Sequence, residues 1–311
     1  MSDIIHRGDA YVLRTCAADM MSYGGFVWPR EGVVEAPDWQ PTADCGRGLH
    51  GFLWGEGDGS LADWSRDAVW IVSRINEWID LDGKVKFPRA EVVFSGSRED
   101  ATAKIRELGA NGAVIGSTLT GGRGSTLTGG DGSILTGGHG STLTGGDYSA
   151  LTGGDGSILT GGERSTLTGG DYSILTGGHG SILTGGDGSI LTGGHGSILT
   201  GGDYSALTGG RGSTLTGGDR STLTGGDYST LTGGDYSTLT GGHGSTLTGG
   251  DYSALTGGRG SILTGGDGSI LCLSWRDGNR HRIVVAYVGE DGVKADTAYR
   301  LRDGKLVEVP Q

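Results

Sequence analysis

From residue 115 onward, apolar and polar positions recur every eight residues. Leu119, Leu127, Leu135 and every eighth position to Leu271 are leucine, which defines twenty octads across residues 115–272. The unit reads x-[Gly/Tyr/Arg]-Ser-[Thr/Ile/Ala]-Leu-Thr-Gly-Gly, as in residues 131–138. Ser-x-Leu-Thr alternates with period two, the signature of a strand, while Gly-Gly-x-Gly is turn chemistry. Each octad therefore predicts one short strand and one corner. Leucine is fixed in all twenty copies and the fourth position varies, so Ser and Leu are predicted to point inward and the fourth and sixth positions outward. The opposite register would expose every leucine. One octad is too short to enclose a core, so two octads per coil with two parallel sheets face to face is the simplest closure; three per coil also fits the pattern. At a strand spacing of about 4.7–4.9 Å, ten coils would stack to roughly 47 Å. A coil in such a stack buries its apolar face only against its neighbours, and both ends need covers.

The flanks are natural covers. Residues 68–73 read as a buried strand, residues 91–95 as another, and Ser97-Arg98-Glu99-Asp100 as a capping box opening a helix that runs to about Leu108 and stops at Gly109. That helix is expected to pack beside the first coil. After the array, Trp275-Arg276-Asp277-Gly278-Asn279 and Arg302-Asp303-Gly304-Lys305 are hairpin-type turns between alternating strands. The expected fold is mainly β: a parallel β-solenoid of twenty octads (about ten two-strand coils) over residues 115–272, with an α+β N-terminal cap domain (residues 1–114) and a small β-hairpin C-terminal cap (residues 273–311).

Composition sharpens this picture. Of 68 glycines in 311 residues, 50 lie in the array: 38 as corner pairs, expected to permit positive φ and close backbone approach, and 12 at the second octad position. With five prolines, the glycine excess is not collagen-like. A net charge of −12 argues against nucleic acid as a partner, and no 18-residue apolar run predicts a membrane span. Cys16, Cys45 and Cys272 form neither a disulfide framework nor a CxxC metal motif. The opening residues carry no cleavable signal pattern, so a cytoplasmic location is the default.

Candidate chemistry is sparse. Gly-Gly-Asp-Gly-Ser invites comparison with the calcium-binding nonapeptide of β-rolls, but the period is eight and Thr, Ile or Ala occupies the place of the second aspartate. Eleven aspartates occupy the first octad position and His139, His179, His195 and His243 take the same slot without a fixed interval, as solvated corner residues do, so no metal, cofactor or catalytic residue is assigned in the array. Cys45 and His50, close together in a Gly-rich stretch, read as structural, and the six tryptophans before residue 80 as a compact aromatic core. The sharper signal is Thr-Leu-Thr, found in nine octads: Thr118/Thr120, Thr126/Thr128, Thr142/Thr144, Thr166/Thr168, and a run of five, Thr214/Thr216, Thr222/Thr224, Thr230/Thr232, Thr238/Thr240 and Thr246/Thr248. Two outward threonines lie about 6.6 Å apart along a strand and about 4.8 Å from copies on the next coil. Their methyls and hydroxyls form a lattice able to order water. The plain alternative is that threonine is a good strand former on an exposed sheet face.

The units Gly-Ser-Thr-Leu-Thr-Gly-Gly and Asp-Tyr-Ser-Thr-Leu-Thr-Gly-Gly resemble the octapeptide repeats of bacterial ice nucleation proteins. The tail, with residues 275–280, Val284-Val285-Ala286, Gly289-Glu290-Asp291-Gly292-Val293 and Ala295-Asp296, resembles their C-terminal segment. The resemblance implies a non-enzymatic solenoid of about sixteen residues per coil, an ice-ordering Thr-x-Thr face, a tyrosine ladder, and self-association end to end or side by side, with a cell-surface location as in the family. Family arrays are far longer, and the tyrosines here fall in both parities, so no single continuous ladder is expected at sixteen per coil. Residues 1–114 resemble instead an uncharacterised domain that precedes similar arrays in bacterial and phage proteins. The reading is thus an ice-binding or ice-nucleation-like protein; the rival is a structural rod or spacer presenting the N-terminal domain to a protein partner.

Overall fold

The computed structural model describes residues 5–310, apart from the side chain of Tyr23. The chain divides into two compact units: residues up to 120 with 128–135 and 145–149, and residues 121–127, 136–144 and 150 onward.

The first unit is built on six strands, β1 (His6–Cys16), β2 (Gly32–Glu35), β3 (Leu49–Leu53), β4 (Val69–Asp80), β5 (Val85–Phe87) and β6 (Arg89–Gly96), and one helix, α1 (Arg98–Glu107). Their order is β1-β3-β5-β4-β6-β2, and β1 also pairs with β4, so four strands close into a small antiparallel barrel. Alternation along the two long strands sends residues to opposite sides. Val12 and Ile71 join one apolar cluster with Trp28 and Phe87; Leu13 and Val72 join another with Trp70 and Ile105 of α1. The strands expected near 68–73 and 91–95 are parts of β4 and β6, and the helix begins at its expected cap, where Ser97 Oγ accepts from Asp100 N at 3.2 Å. The aromatic core departs from expectation. Trp28 and Trp70 are buried in separate clusters, while Trp64 stays exposed, donating from its indole to the Gly59 carbonyl. As expected, α1 meets the first coil: Arg106 Nη2 donates to Ser117 Oγ at 3.1 Å and to the Thr128 carbonyl at 2.9 Å.

In the second unit each strand pairs in parallel with the strand two octads away. Thr142 aligns with Ile158, Leu143 with Leu159 and Thr144 with Thr160, and the same shift of sixteen residues repeats to the end of the array. A coil is therefore two octads, and successive strands alternate between two parallel sheets. The leucines from Leu135 to Leu271 are at most 1% exposed, and the serines beside them are equally buried. In many octads the buried serine hydroxyl returns to the corner: Ser189 Oγ donates to the Gly186 carbonyl at 2.7 Å, and Ser205 Oγ to that of Gly202, whereas the hydroxyls of Ser133, Ser141 and Ser157 are buried without a partner.

The corner corrects one expectation. Positive φ does not fall on the paired glycines but on the second octad position, in all twenty copies: twelve glycines, six tyrosines and two arginines. The pairs are needed for proximity. A Cβ on Gly185 would lie 2.7 Å from Ser189 Cβ inside the coil, and one on Gly186 would lie 2.9 Å from the Asp171 backbone nitrogen of the preceding coil.

Both sheets end in antiparallel hairpins at the expected turns. The strand Ile270–Asp277 leaves the last octad and pairs with Arg280–Tyr287; Thr297–Arg302 covers Ile262–Gly265 and pairs with Lys305–Glu308. Antiparallel cover of this kind occupies an edge that would otherwise template another chain. Among the described residues, no helix is long and apolar enough to cross a membrane.

Candidate functional site

The outward positions form columns. At the sixth octad position, Thr152, Thr168, Thr184, Thr200, Thr216, Thr232, Thr248 and Thr264 are aligned residue on residue on one sheet. Thr144, Thr160, Thr176, Thr192, Thr208, Thr224, Thr240 and Thr256 do the same on the other, with Cys272 following. The fourth-position columns beside them are mixed. On the first sheet the order from Ala150 is Ala, Thr, Ile, Ile, Thr, Thr, Thr, Ile; on the second, from Thr142, it is Thr, Ile, Ile, Ile, Ala, Thr, Thr, Ala, Ile.

This arrangement divides the candidate threonines. The run of five Thr-Leu-Thr octads does not form one patch, because neighbours in sequence lie on opposite sheets. Thr214/Thr216, Thr230/Thr232 and Thr246/Thr248 make a block of three adjacent strands on one face, while Thr222/Thr224 and Thr238/Thr240 make a block of two on the other. Thr166/Thr168 stands between Ala150/Thr152 and Ile182/Thr184, and Thr142/Thr144 lies next to Ile158/Thr160. Thr118, Thr120 and Thr126 are exposed, whereas Thr128 is half-buried where its carbonyl takes the Arg106 hydrogen bond. Isoleucines fill the gaps: Ile158, Ile174 and Ile190 are consecutive on one face and Ile182 and Ile198 on the other, each 42–49% exposed. The unbroken columns at the sixth position are what a search for Thr-Leu-Thr pairs overlooks. Their signal is threonine at that position in every octad before the last.

The corners form columns too. Asp155, Asp171, Asp187, Asp203, Asp219, Asp235, Asp251 and Asp267 stack along one edge, and from Asp171 onward each backbone N–H donates to Oδ1 of the aspartate one coil earlier at 2.8–3.1 Å. On the opposite edge, histidine takes the same role through Nδ1: His195 N donates to His179 and Arg211 N to His195, and the two imidazoles stack 4.9 Å apart. Any side chain with a suitably placed acceptor therefore serves, which explains the interchange of Asp and His. The tyrosines occupy both edges, as their parities require. A short stack nevertheless forms on one: Arg220 lies 5.5 Å from the rings of both Tyr204 and Tyr236 and hydrogen-bonds the Tyr204 hydroxyl, and Tyr236 stacks on Tyr252 at 5.3 Å. No group of three or more His, Cys, Asp or Glu side chains among the described residues is placed to hold a metal ion.

Comparison with known proteins adds a sequence relationship to this geometry. The chain is 44% identical over 116 residues to an ice nucleation protein of Pseudomonas syringae pv. syringae, a match covering 36% of this chain and 10% of that protein. It is 45% identical over 97 residues to an ice nucleation protein of Pseudomonas syringae (30% of this chain, 8% of the relative) and 39% identical over 94 residues to ice nucleation protein InaU of Pantoea ananas (29% and 9%). The matches thus span about a tenth or less of these relatives' length. No family model and no solved structure matches the chain. Over about a third of its length, and in the repeat-built β-solenoid expected of that family, the chain resembles the bacterial ice nucleation proteins.

Proposed function

We propose that the protein orders water on the outward threonine columns of its solenoid and so binds ice or weakly promotes its nucleation. The observation that carries this reading is the pair of eight-threonine columns in strict register, flanked in places by a second threonine column. A strand spacing of about 4.8 Å along each column and about 6.6 Å between columns gives a regular two-dimensional grid of methyls and hydroxyls. The named activity of the relatives supports the same reading. The complete Thr-x-Thr grid extends over three strands at most, so the ordered-water patch is small. We therefore expect ice-crystal shaping or freezing only a little above background, unless solenoids associate end to end or side by side and enlarge the patch.

The rival reading, a rigid spacer presenting the N-terminal domain to a protein partner, draws support from the Ile and Ala breaks in the fourth-position columns. Droplet freezing and ice-crystal shaping separate the two. Replacing the outward threonines of all five Thr-Leu-Thr octads from Thr214 to Thr248, that is Thr214, Thr216, Thr230, Thr232, Thr246 and Thr248 on one face and Thr222, Thr224, Thr238 and Thr240 on the other, with lysine should sharply weaken both effects while the circular dichroism of the solenoid persists. Equal behaviour of the parent and lysine-substituted proteins would sink the water-ordering proposal and leave the spacer.

A further inference from the structure

The N-terminal barrel carries a feature that the solenoid does not use. A cleft of about 820 Å³ opens beside β1 and β3, within the size range of small-molecule sites. Three cations, Arg14, Arg47 and Lys84, line it together with one carboxylate, Asp38, in a chain whose net charge is −12. None of the three forms an ion pair among the described residues. Arg14 is the informative one. Its guanidinium lies 4.7 Å above the Trp28 ring and donates from Nη1 to the His50 carbonyl at 2.6 Å, yet its Nε–H is buried without an acceptor. A largely buried guanidinium normally has a carboxylate or phosphate partner, because desolvating it without one is costly.

His50 reports the same field. It lines the cleft, accepts from Gly46 N through Nε2, and burial lowers its pKa to about 4, helped by the positive charges of Lys84, Arg14 and Lys86. Its neutral ring adds no charge to offset the cations.

We infer that this cleft binds a small oxyanion, a phosphate or carboxylate group, whose charge is met by Arg14, Arg47 and Lys84 against the aromatic wall of Phe26 and Trp28. Guanidinium presents a planar fork suited to two oxygens of such a group, and the apolar wall suits an attached ring or chain. Phosphate and carboxylate share this chemistry, and the test distinguishes them.

The test is a titration of the full ¹⁵N-labelled chain with inorganic phosphate and, separately, with benzoate, against chloride at matched ionic strength. The readout is the Arg14 Nε–H resonance, identified by its loss in Arg14→Lys. A saturable shift with either anion is expected. Phosphate alone shifting the signal assigns a phosphate site, benzoate alone a carboxylate site with an apolar body, and both a general oxyanion site. Lys84→Glu should weaken binding by at least about fivefold without changing the melting profile, since it reverses a charge at the cleft wall. No saturable shift with either anion up to about 10 mM, or unchanged affinity in Lys84→Glu, would overturn the inference.

Discussion

Two glycines in octads one coil apart put the corner to a quantitative test. Gly185 has an ordinary φ, but an alanine there would set its Cβ 2.7 Å from Ser189 Cβ and 3.0 Å from Leu191 Cδ1, both inside the coil. Those side chains are fully buried and stacked on copies above and below, so neither has room to withdraw. Overpacking of this kind costs about 2–3 kcal/mol. Gly196 presents the reverse case: its φ is +65°, and a Cβ added there would meet nothing within 4 Å. Alanine there incurs only the left-handed backbone penalty of about 1–2 kcal/mol, which six tyrosines and two arginines already bear at equivalent positions. Because coils couple mainly to their neighbours, the damage should stay local, and amide hydrogen exchange is the assay that resolves it. In Gly185→Ala the residue 185 and Gly201 amides, which donate to the Thr200 and Thr216 carbonyls, should exchange roughly 30- to 150-fold faster, as 2–3 kcal/mol implies. The Gly233 amide, which donates to Thr248 three coils away, should change little. In Gly196→Ala the acceleration should be smaller. If Gly196→Ala opened its coil more than Gly185→Ala, the argument that the paired glycines are selected for close packing rather than for φ would be refuted.

The charged corners and the barrel give three more expectations. Stacked carboxylates about 4.8 Å apart repel by about 1 kcal/mol per neighbour in water at low salt, so the melting temperature should rise between low and physiological ionic strength. Asp203→Asn keeps the acceptor for Asp219 N and removes one charge from the ladder; it should be neutral or slightly stabilising and flatten that salt dependence, which a melting series would show. Asp203→Ala loses the acceptor as well and should cost about 0.5–1.5 kcal/mol in denaturant unfolding. His50, neutral in the fold with a pKa near 4 against an ordinary 6.5, binds fewer protons folded than unfolded between those values. Stability of the barrel should therefore be full above about pH 6.5 and fall by roughly 1–3 kcal/mol as pH drops toward 4, reduced from the full linkage value because the ring is only partly buried; His50→Asn should remove that slope in pH-dependent melting.

The solenoid was legible because its signals are local and repeated. Ser and Leu inside, the fourth and sixth positions outside and the two closing hairpins all follow from one octad and two turns. The coil length was not, since copies this alike carry no mark of where a second octad ends; only the pairing of Leu143 with Leu159 fixes it. That shift of sixteen is also what divides the five consecutive Thr-Leu-Thr octads between two faces. The barrel was the least legible part. Its closure depends on β1 meeting both β3 and β4, a long-range pairing, and β5 has only three residues, too few for alternation to register. The cleft is invisible for the same reason: Arg14, Arg47 and Lys84 sit on different elements and share no spacing.

Octad positions differ in how firmly the fold fixes them. The third, fifth, seventh and eighth are constrained from inside: Ser and Leu fill the coil, and glycine pairs are required where a Cβ would strike Ser189 or the Asp171 backbone. The first, second and fourth vary, and most of that variation has a physical licence: Asp and His at the first position both accept from the next coil's N–H, Tyr and Arg tolerate the left-handed turn at the second, and Ile, Ala or Thr suits an exposed strand at the fourth. The arginines at the first position, Arg123, Arg211 and Arg259, offer no acceptor. The sixth position fits neither group. It faces outward, where the fourth position accepts three residue types, yet it is threonine in every octad from Thr120 to Thr264. Strand propensity alone does not separate the two positions, since isoleucine forms strands as well as threonine does. What isoleucine lacks is the hydroxyl. The proposed water-ordering surface would require a hydroxyl beside a methyl at fixed intervals, which a spacer would not, so this uniformity supports the proposal over its rival.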